Sequence, residues 1–177
     1  FKEKLFTELY PGRTEVPKTL VFAKDDSHAE DVVRIIREEF GKGNDFCQKI
    51  TYRIGNANPE ERIAEFRNSY FPRIAVTVDM IATGTDIRPL EILLFLRLVR
   101  SANFFEQMLG PGTRIIHPGD LQSVTPDAPR KDHFVIVDAV GVVDLAKVDT
   151  QSLERKRNTP FPKLLEAAAL GVADEDT

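Results

Sequence analysis

Short apolar runs that alternate with amphipathic stretches are the feature that most constrains this chain. Residues 19–23, 74–78, 92–96 and 134–137 are largely apolar and partly β-branched, the signature of buried strands, and a further strand lies near 48–54. Between them lie segments with helical spacing. Ser27 and Glu30 form a capping-box pattern ahead of a helix to Phe40, whose apolar positions are Ala29, Val32, Val33, Ile36 and Phe40 and whose stop is Gly41 and Gly43. Asn58 and Pro59 open a second helix over 60–68, with Ile63 and Phe66 inward, and residues 104–109 predict a third. Strand, helix and short connection in rotation predict an α/β fold with a mostly parallel sheet and helices on both faces. In such sheets ligands sit beyond the carboxyl ends of the strands, which directs attention to the loops after Ala23, Val78 and Leu96.

The pattern divides the chain into three parts. Residues 1–17 read as a lead-in helix and linker, with Pro11 and Gly12 closing a helix over 2–9. Residues 18–143 form the α/β domain. Residues 144–177 read as a linker and the start of a helical extension, with a short apolar helix at 164–170. Within the domain, residues 117–130 hold Pro118, Pro126 and Pro129 and few apolar positions, which predicts a surface insertion. The chain opens at Phe1 without an initiator Met, so an excised fragment is expected.

Composition narrows the function classes. A net charge of -4 carries no global signal for nucleic acid, and any basic groove must be local. Cys47 is alone, so neither a disulfide framework nor a cysteine zinc site can form within the chain. No apolar run is long enough to span a membrane, and no signal peptide follows the N-terminus. These features suit a cytoplasmic protein. His28, His117 and His133 lack ligand spacing, so metal binding by them is not expected.

Two blocks carry chemistry. In the first, a strand runs into Thr83, Gly84 and Asp86. Glycine permits a tight turn or a close approach to a ligand, and the hydroxyl and carboxylate can meet a phosphate, a ribose or a cation. Local chemistry equally allows a polar turn with Asp86 as a cap. In the second, helical residues lead to Gly110, Pro111 and Gly112, which are expected to break the helix and project Arg114. A guanidinium there matches phosphate oxygens, and Gln107 can orient a phosphate or a water. An exposed Arg after a Gly-Pro turn is the alternative.

The two blocks occur in order with a strand between them, and together they resemble motifs V and VI of superfamily-2 helicases and translocases. Residues 95–101, FLRLVRS, look like the FLRPVKS segment of type I restriction enzyme R subunits. The VTVDM and FEQM stretches, the motif-IV-like run 19–25 and the closing strand within 131–138 are similar to the same group. The resemblance spans roughly residues 18–143 and implies a RecA-like three-layer domain: the second motor domain of an ATP-dependent DNA translocase and endonuclease subunit.

In that family ATP binds between two RecA-like domains. The first holds the phosphate loop and most of the Mg2+ ligands, and no G-x-x-x-x-G-K-[ST] sequence occurs here. The resemblance therefore implies an ATP-facing set of Thr83, Gly84, Asp86 and Gly110, with Gln107 and Arg114 toward the phosphates and Arg114 as an arginine finger. Lys24, Arg97 and Arg100, at predicted strand ends, are candidates for duplex DNA phosphates. Implied partners are the first RecA-like and nuclease domains of the same polypeptide, and methyltransferase and specificity subunits. The family pattern has Arg where this chain has Pro111, which leaves a catalytically silent DNA- or partner-binding module as the alternative.

Overall fold

The computed structural model describes residues 1–51, 58–78 and 85–145. Five parallel strands form one sheet in the order β2-β3-β1-β4-β5: β1 Lys18–Phe22, β2 Cys47–Lys49, β3 Ile74–Thr77, β4 Leu90–Phe95 and β5 Val135–Asp138. Every residue of β1, β3 and β4 is buried, as expected for parallel strands covered on both faces, while the edge strand β5 is half-buried.

Strand alternation splits the core into two apolar layers. On one face Leu20, Phe22, Ala75, Leu93 and Phe95 meet α3 (Pro59–Asn68) through Phe66 and α4 (Ala102–Leu109) through Phe105 and Met108. Phe95 links this layer, 4.9 Å from Phe22 and 5.3 Å from Phe105 between ring centres. On the other face Val21, Ile74, Val76, Ile92 and Leu94 meet Ala29, Val32 and Val33 of α2 (Asp26–Phe40). They also meet Leu5 and Tyr10 of the lead-in, where α1 (Lys2–Lys4) runs into a π-helical turn over Leu5–Leu9. The result is a three-layer α/β domain, as the periodicity predicts.

Three local expectations are corrected. The N-cap of α2 is Asp25 rather than Ser27; its carboxylate accepts the His28 N–H at 2.9 Å. β1 ends at Phe22 and the Ala23 N–H bonds the Thr77 carbonyl, so the helix starts two residues earlier, where Asp25 and Asp26 both favour its positive end. The stop at Gly41 is as expected, in the left-handed region at φ 61. β2 is shorter than the predicted run, whose end from residue 52 lies outside the described residues.

The third correction concerns 117–130, which is packed rather than a surface insertion. Residues Pro118–Val124 form α5, with Pro118 in its first turn and the His117 ring accepting the Gly119 N–H. Leu121, Val124 and Ala128 are buried. A proline at the first helical turn starts a helix, and two apolar residues three apart suffice to seat one this short.

Val124 and Thr125 then receive Arg73, which is 1% exposed and donates to the Val16, Tyr70 and Val124 carbonyls and to the Thr125 hydroxyl. Nearby, the Asp127 carboxylate accepts the Thr14 and Glu15 N–H groups at 2.7 and 2.8 Å and pairs with Arg13, which also grips buried Glu91 through both guanidinium nitrogens. The lead-in and the segment after α5 are thereby tied to the amino ends of β1, β3 and β4. The Asp138 carboxylate turns the chain after β5 by accepting the Val140, Gly141 and Val143 N–H groups. Residues 146–177, with the predicted helical extension, lie outside the described residues.

Candidate functional site

The chemistry-bearing residues fall at the two ends of the sheet. Asp86 stands four residues before β4, at the amino end of the sheet. One Asp86 oxygen accepts the Arg88 Nε–H at 2.9 Å. The other lies 3.9 Å from Arg114 Nε, too far for a hydrogen bond; it is shielded from solvent and has no hydrogen-bond partner among the described residues. Asp86 and Arg114 therefore share one wall, but at the amino end of the sheet rather than beyond the carboxyl ends. The Arg114 side chain is 55% exposed and open to the outside. An open pocket of about 470 Å³ adjoins this wall, lined by Arg67, Asp86, Arg88, Asp120 and Ser123 among others.

The turn that carries Arg114 follows α4 directly, as expected: the helix ends at Leu109, and Gly110 caps it with right-handed helical angles (φ -47, ψ -46). The Gly110 N–H bonds the Gln107 carbonyl at 3.2 Å, the Gly112 N–H bonds the Leu109 carbonyl at 2.9 Å, and the Thr113 hydroxyl donates to the Gly110 carbonyl. Gly112 is required for space, since a Cβ there would stand 2.7 Å from the Phe134 ring. Pro111 is buried in this turn. Gln107 is exposed on α4, and among the described residues no hydrogen bond or ion pair joins its side chain to Asp86 or Arg114. Thr83 and Gly84 lie outside the described residues.

Lys131 is the residue that sequence reasoning missed. Its ammonium donates to the Arg88 carbonyl at 3.0 Å and to the Arg114 carbonyl at 2.9 Å. Burial lowers it to about 8, with the Glu91 carboxylate acting the other way. It opens the stretch 131–138, read as similar to the closing strand, just past the expected insertion, where no periodicity marks a lysine as inward. A charged residue shortly before a buried strand is the available signal, and it is weak.

At the carboxyl end, Lys24 is exposed just past β1, and Arg97 and Arg100 follow β4. Arg97 is half-buried and donates to the Val78 carbonyl at 2.9 Å; Arg100 is exposed. β1 and β4 are neighbours, so these cations share one rim. Carboxylates share it too. Asp26 and Glu30 pair with Lys49 at 3.1 and 2.7 Å, and Asp25 caps α2. The three histidines have local roles: His28 accepts the Lys24 N–H, His117 caps α5, and His133 pairs with Asp132 and stacks on Tyr10. Buried Cys47, its thiol pushed up to about 12 by burial, is a core residue.

No family model matches the chain. It is 36% identical over 152 residues to the type I restriction enzyme EcoKI endonuclease subunit of Escherichia coli (strain K12), a match covering 80% of this chain. The chain spans only 12% of that subunit's length. Its fold matches a fragment structure assigned to an HsdR subunit of a type I restriction enzyme from Vibrio vulnificus YJ016, with a TM-score of 0.62, 22% identity, and coverage of 82% of this chain and 26% of that one. It also matches domain 2 of the DEAD-box helicase Mss116p, solved bound to an RNA duplex, with a TM-score of 0.52, 15% identity, and coverage of 70% and 42%. The fold is therefore the RecA-like one of helicase C-terminal domains, and the chain is similar to type I restriction enzyme endonuclease subunits.

Proposed function

We propose that this chain is the second motor domain of an ATP-dependent DNA translocase in a type I restriction-modification system. It supplies one wall of an ATP site whose other wall belongs to a first RecA-like domain. The observation that carries this reading is the Asp86–Arg114 wall: two separate segments meet at 3.9 Å, with the guanidinium exposed and a carboxylate oxygen still lacking a donor. An arginine with an anchored main chain and an open side chain suits a group that reaches across a cleft to stabilise charge on phosphate.

The residues divide the work as follows. Arg114 reaches the phosphates, and Asp86 orients Arg114 and Arg88 from behind. Thr83, Gly84 and Gly110 complete the nucleotide-facing surface, and Gln107 positions the phosphate or attacking water. Mg2+ supplies charge neutralisation on the phosphates and is held mainly by the first domain. Lys24, Arg97 and Arg100 at the opposite rim contact duplex DNA phosphates. Among the described residues no helix is long and apolar enough to cross a membrane, and the reading is of a cytoplasmic protein. Its partners are the first RecA-like and nuclease domains of the same polypeptide and the methyltransferase and specificity subunits of the complex.

Phosphate release measured with and without duplex DNA tests the proposal. The 177-residue chain alone is expected to turn over no ATP. In the full-length protein, Arg114→Ala is expected to lower turnover by roughly 10³-fold or more. Robust hydrolysis by the isolated chain, or by the variant, removes the basis of the shared site.

Pro111 favours a second reading, a silent RecA-like DNA- or partner-binding module. It fills a buried position where the family pattern has an arginine. A full-length protein that binds ATP yet never hydrolyses it, and gains turnover with Pro111→Arg, supports this alternative.

A further inference from the structure

We propose that Lys131 is a positioning residue that sets where Arg114 can reach. This rests on the reading of Arg114 as the phosphate-facing group. The ammonium joins three segments that are far apart in sequence: the approach to β4 through the Arg88 carbonyl, the turn after α4 through the Arg114 carbonyl, and the approach to β5 on which Lys131 itself stands. A few residues on, Phe134 fills the space above Gly112 in the same turn. The turn that carries Arg114 is thus held from one side by a ring and from the other by a cation.

Apart from the 3.9 Å approach to Asp86, nothing in the described structure restrains the Arg114 side chain. Its position is set through its main chain. A hydrogen bond from a charged donor is roughly twice as strong as a neutral one, and one ammonium serving two carbonyls fixes their separation as well as their places. Without it, the Arg88 and Arg114 carbonyls lose a shared partner and the Asp86–Arg114 wall can open. Asp86 and Arg88, on one side of the staple, and Arg114, on the other, are also the two guanidiniums and the carboxylate of the candidate site. Lys131 therefore acts on both halves of that site without touching nucleotide.

The test measures DNA-dependent ATP turnover by the full-length protein. Lys131→Met is expected to lower kcat about tenfold and leave KM for ATP within about threefold, because a misplaced transition-state group slows chemistry more than binding. Lys131→Arg, which can still donate to both carbonyls, is expected to recover most of the rate. In an Arg114→Ala background, Lys131→Met is expected to change the residual rate less than twofold, because both act through one group. If the Met variant does not fold, Lys131→Gln, with a neutral donor, is expected to give a kcat between wild type and the tenfold loss.

Wild-type kcat in Lys131→Met or Lys131→Gln beside an inactive Arg114→Ala protein overturns the positioning role. So does equal loss in the Met and Arg variants, or a further loss on the Arg114→Ala background. Full activity in Arg114→Ala removes the underlying reading of the wall itself, and is told apart by that single variant.

Discussion

At the amino ends of β1, β3 and β4, several basic side chains are held by carboxylates or main-chain carbonyls, with Arg88 and Arg114 exposed beside them; at the carboxyl ends of β1 and β4 basic side chains stand largely in solvent near carboxylates. Lys18 and Arg73 are almost fully buried, Arg13 grips Glu91 and Asp127, and Lys131 holds two carbonyls. Lys24 and Arg100 are exposed, and Arg97 donates to the Val78 carbonyl. One end has its geometry set in advance. The other keeps freedom to adjust. That division suits a site where a guanidinium must meet phosphate at a defined angle, and another where contacts with a uniform phosphate backbone are made and released.

The contrast is most directly broken at Arg73. Arg73→Met leaves the Val16, Tyr70 and Val124 carbonyls without their donor, and is expected to destabilise the domain by about 3 kcal/mol, read as a lowered urea midpoint at unchanged slope. A loss below about 1 kcal/mol would mean that the amino end is not rigid in the sense described.

Lys18 gives the next effect. Burial brings its ammonium down to about 6, with Arg73 adding to the shift and Glu65 opposing it. The unfolded chain keeps this proton to about pH 10, so between about 6 and 10 the unfolded state binds more protons and stability rises with pH. The slope from this group is at most about 1.4 kcal/mol per pH unit. Lys18→Met, which keeps contact with Phe66, is expected to flatten the dependence in denaturant titrations at several pH values. An unchanged slope would show that another group carries it.

The smallest effect belongs to the other rim. Lys24→Gln and Arg100→Gln in the full-length protein are each expected to reduce the salt dependence of duplex DNA binding by about one unit of slope, without altering stability. Unchanged slopes would assign these charges to solvent alone.

The parallel sheet was legible because apolar runs and helical spacing report burial directly. Phe66, the α2 positions Ala29, Val32 and Val33, and both faces of β1 stand where their periodicity puts them. The segment 117–130 was not legible, because prolines and polar residues mark both loops and the starts of short helices, and its anchors, the Val124 carbonyl, the Thr125 hydroxyl and the Asp127 carboxylate, look in sequence like those of any exposed loop. Within the candidate site, Asp86 and Arg114 were singled out from local chemistry and from the resemblance to motor proteins. Their meeting at the amino end could not be read, since it depends on how two segments far apart in sequence pack together. Lys131 left only a weak trace, because an ammonium that bonds main-chain oxygen has the same sequence signature as a solvated one.

Arg73 has a consequence beyond stability. Among its four acceptor residues Val16 and Val124 offer only peptide oxygen, Thr125 offers its hydroxyl, and Tyr70 adds its ring, 4.8 Å from the guanidinium. Val16 and Val124 could drift to other residues of similar bulk without loosening the junction, whereas the guanidinium could not be exchanged for a lysine with the same reach in three directions. Homologues should therefore vary around this point while the arginine itself persists.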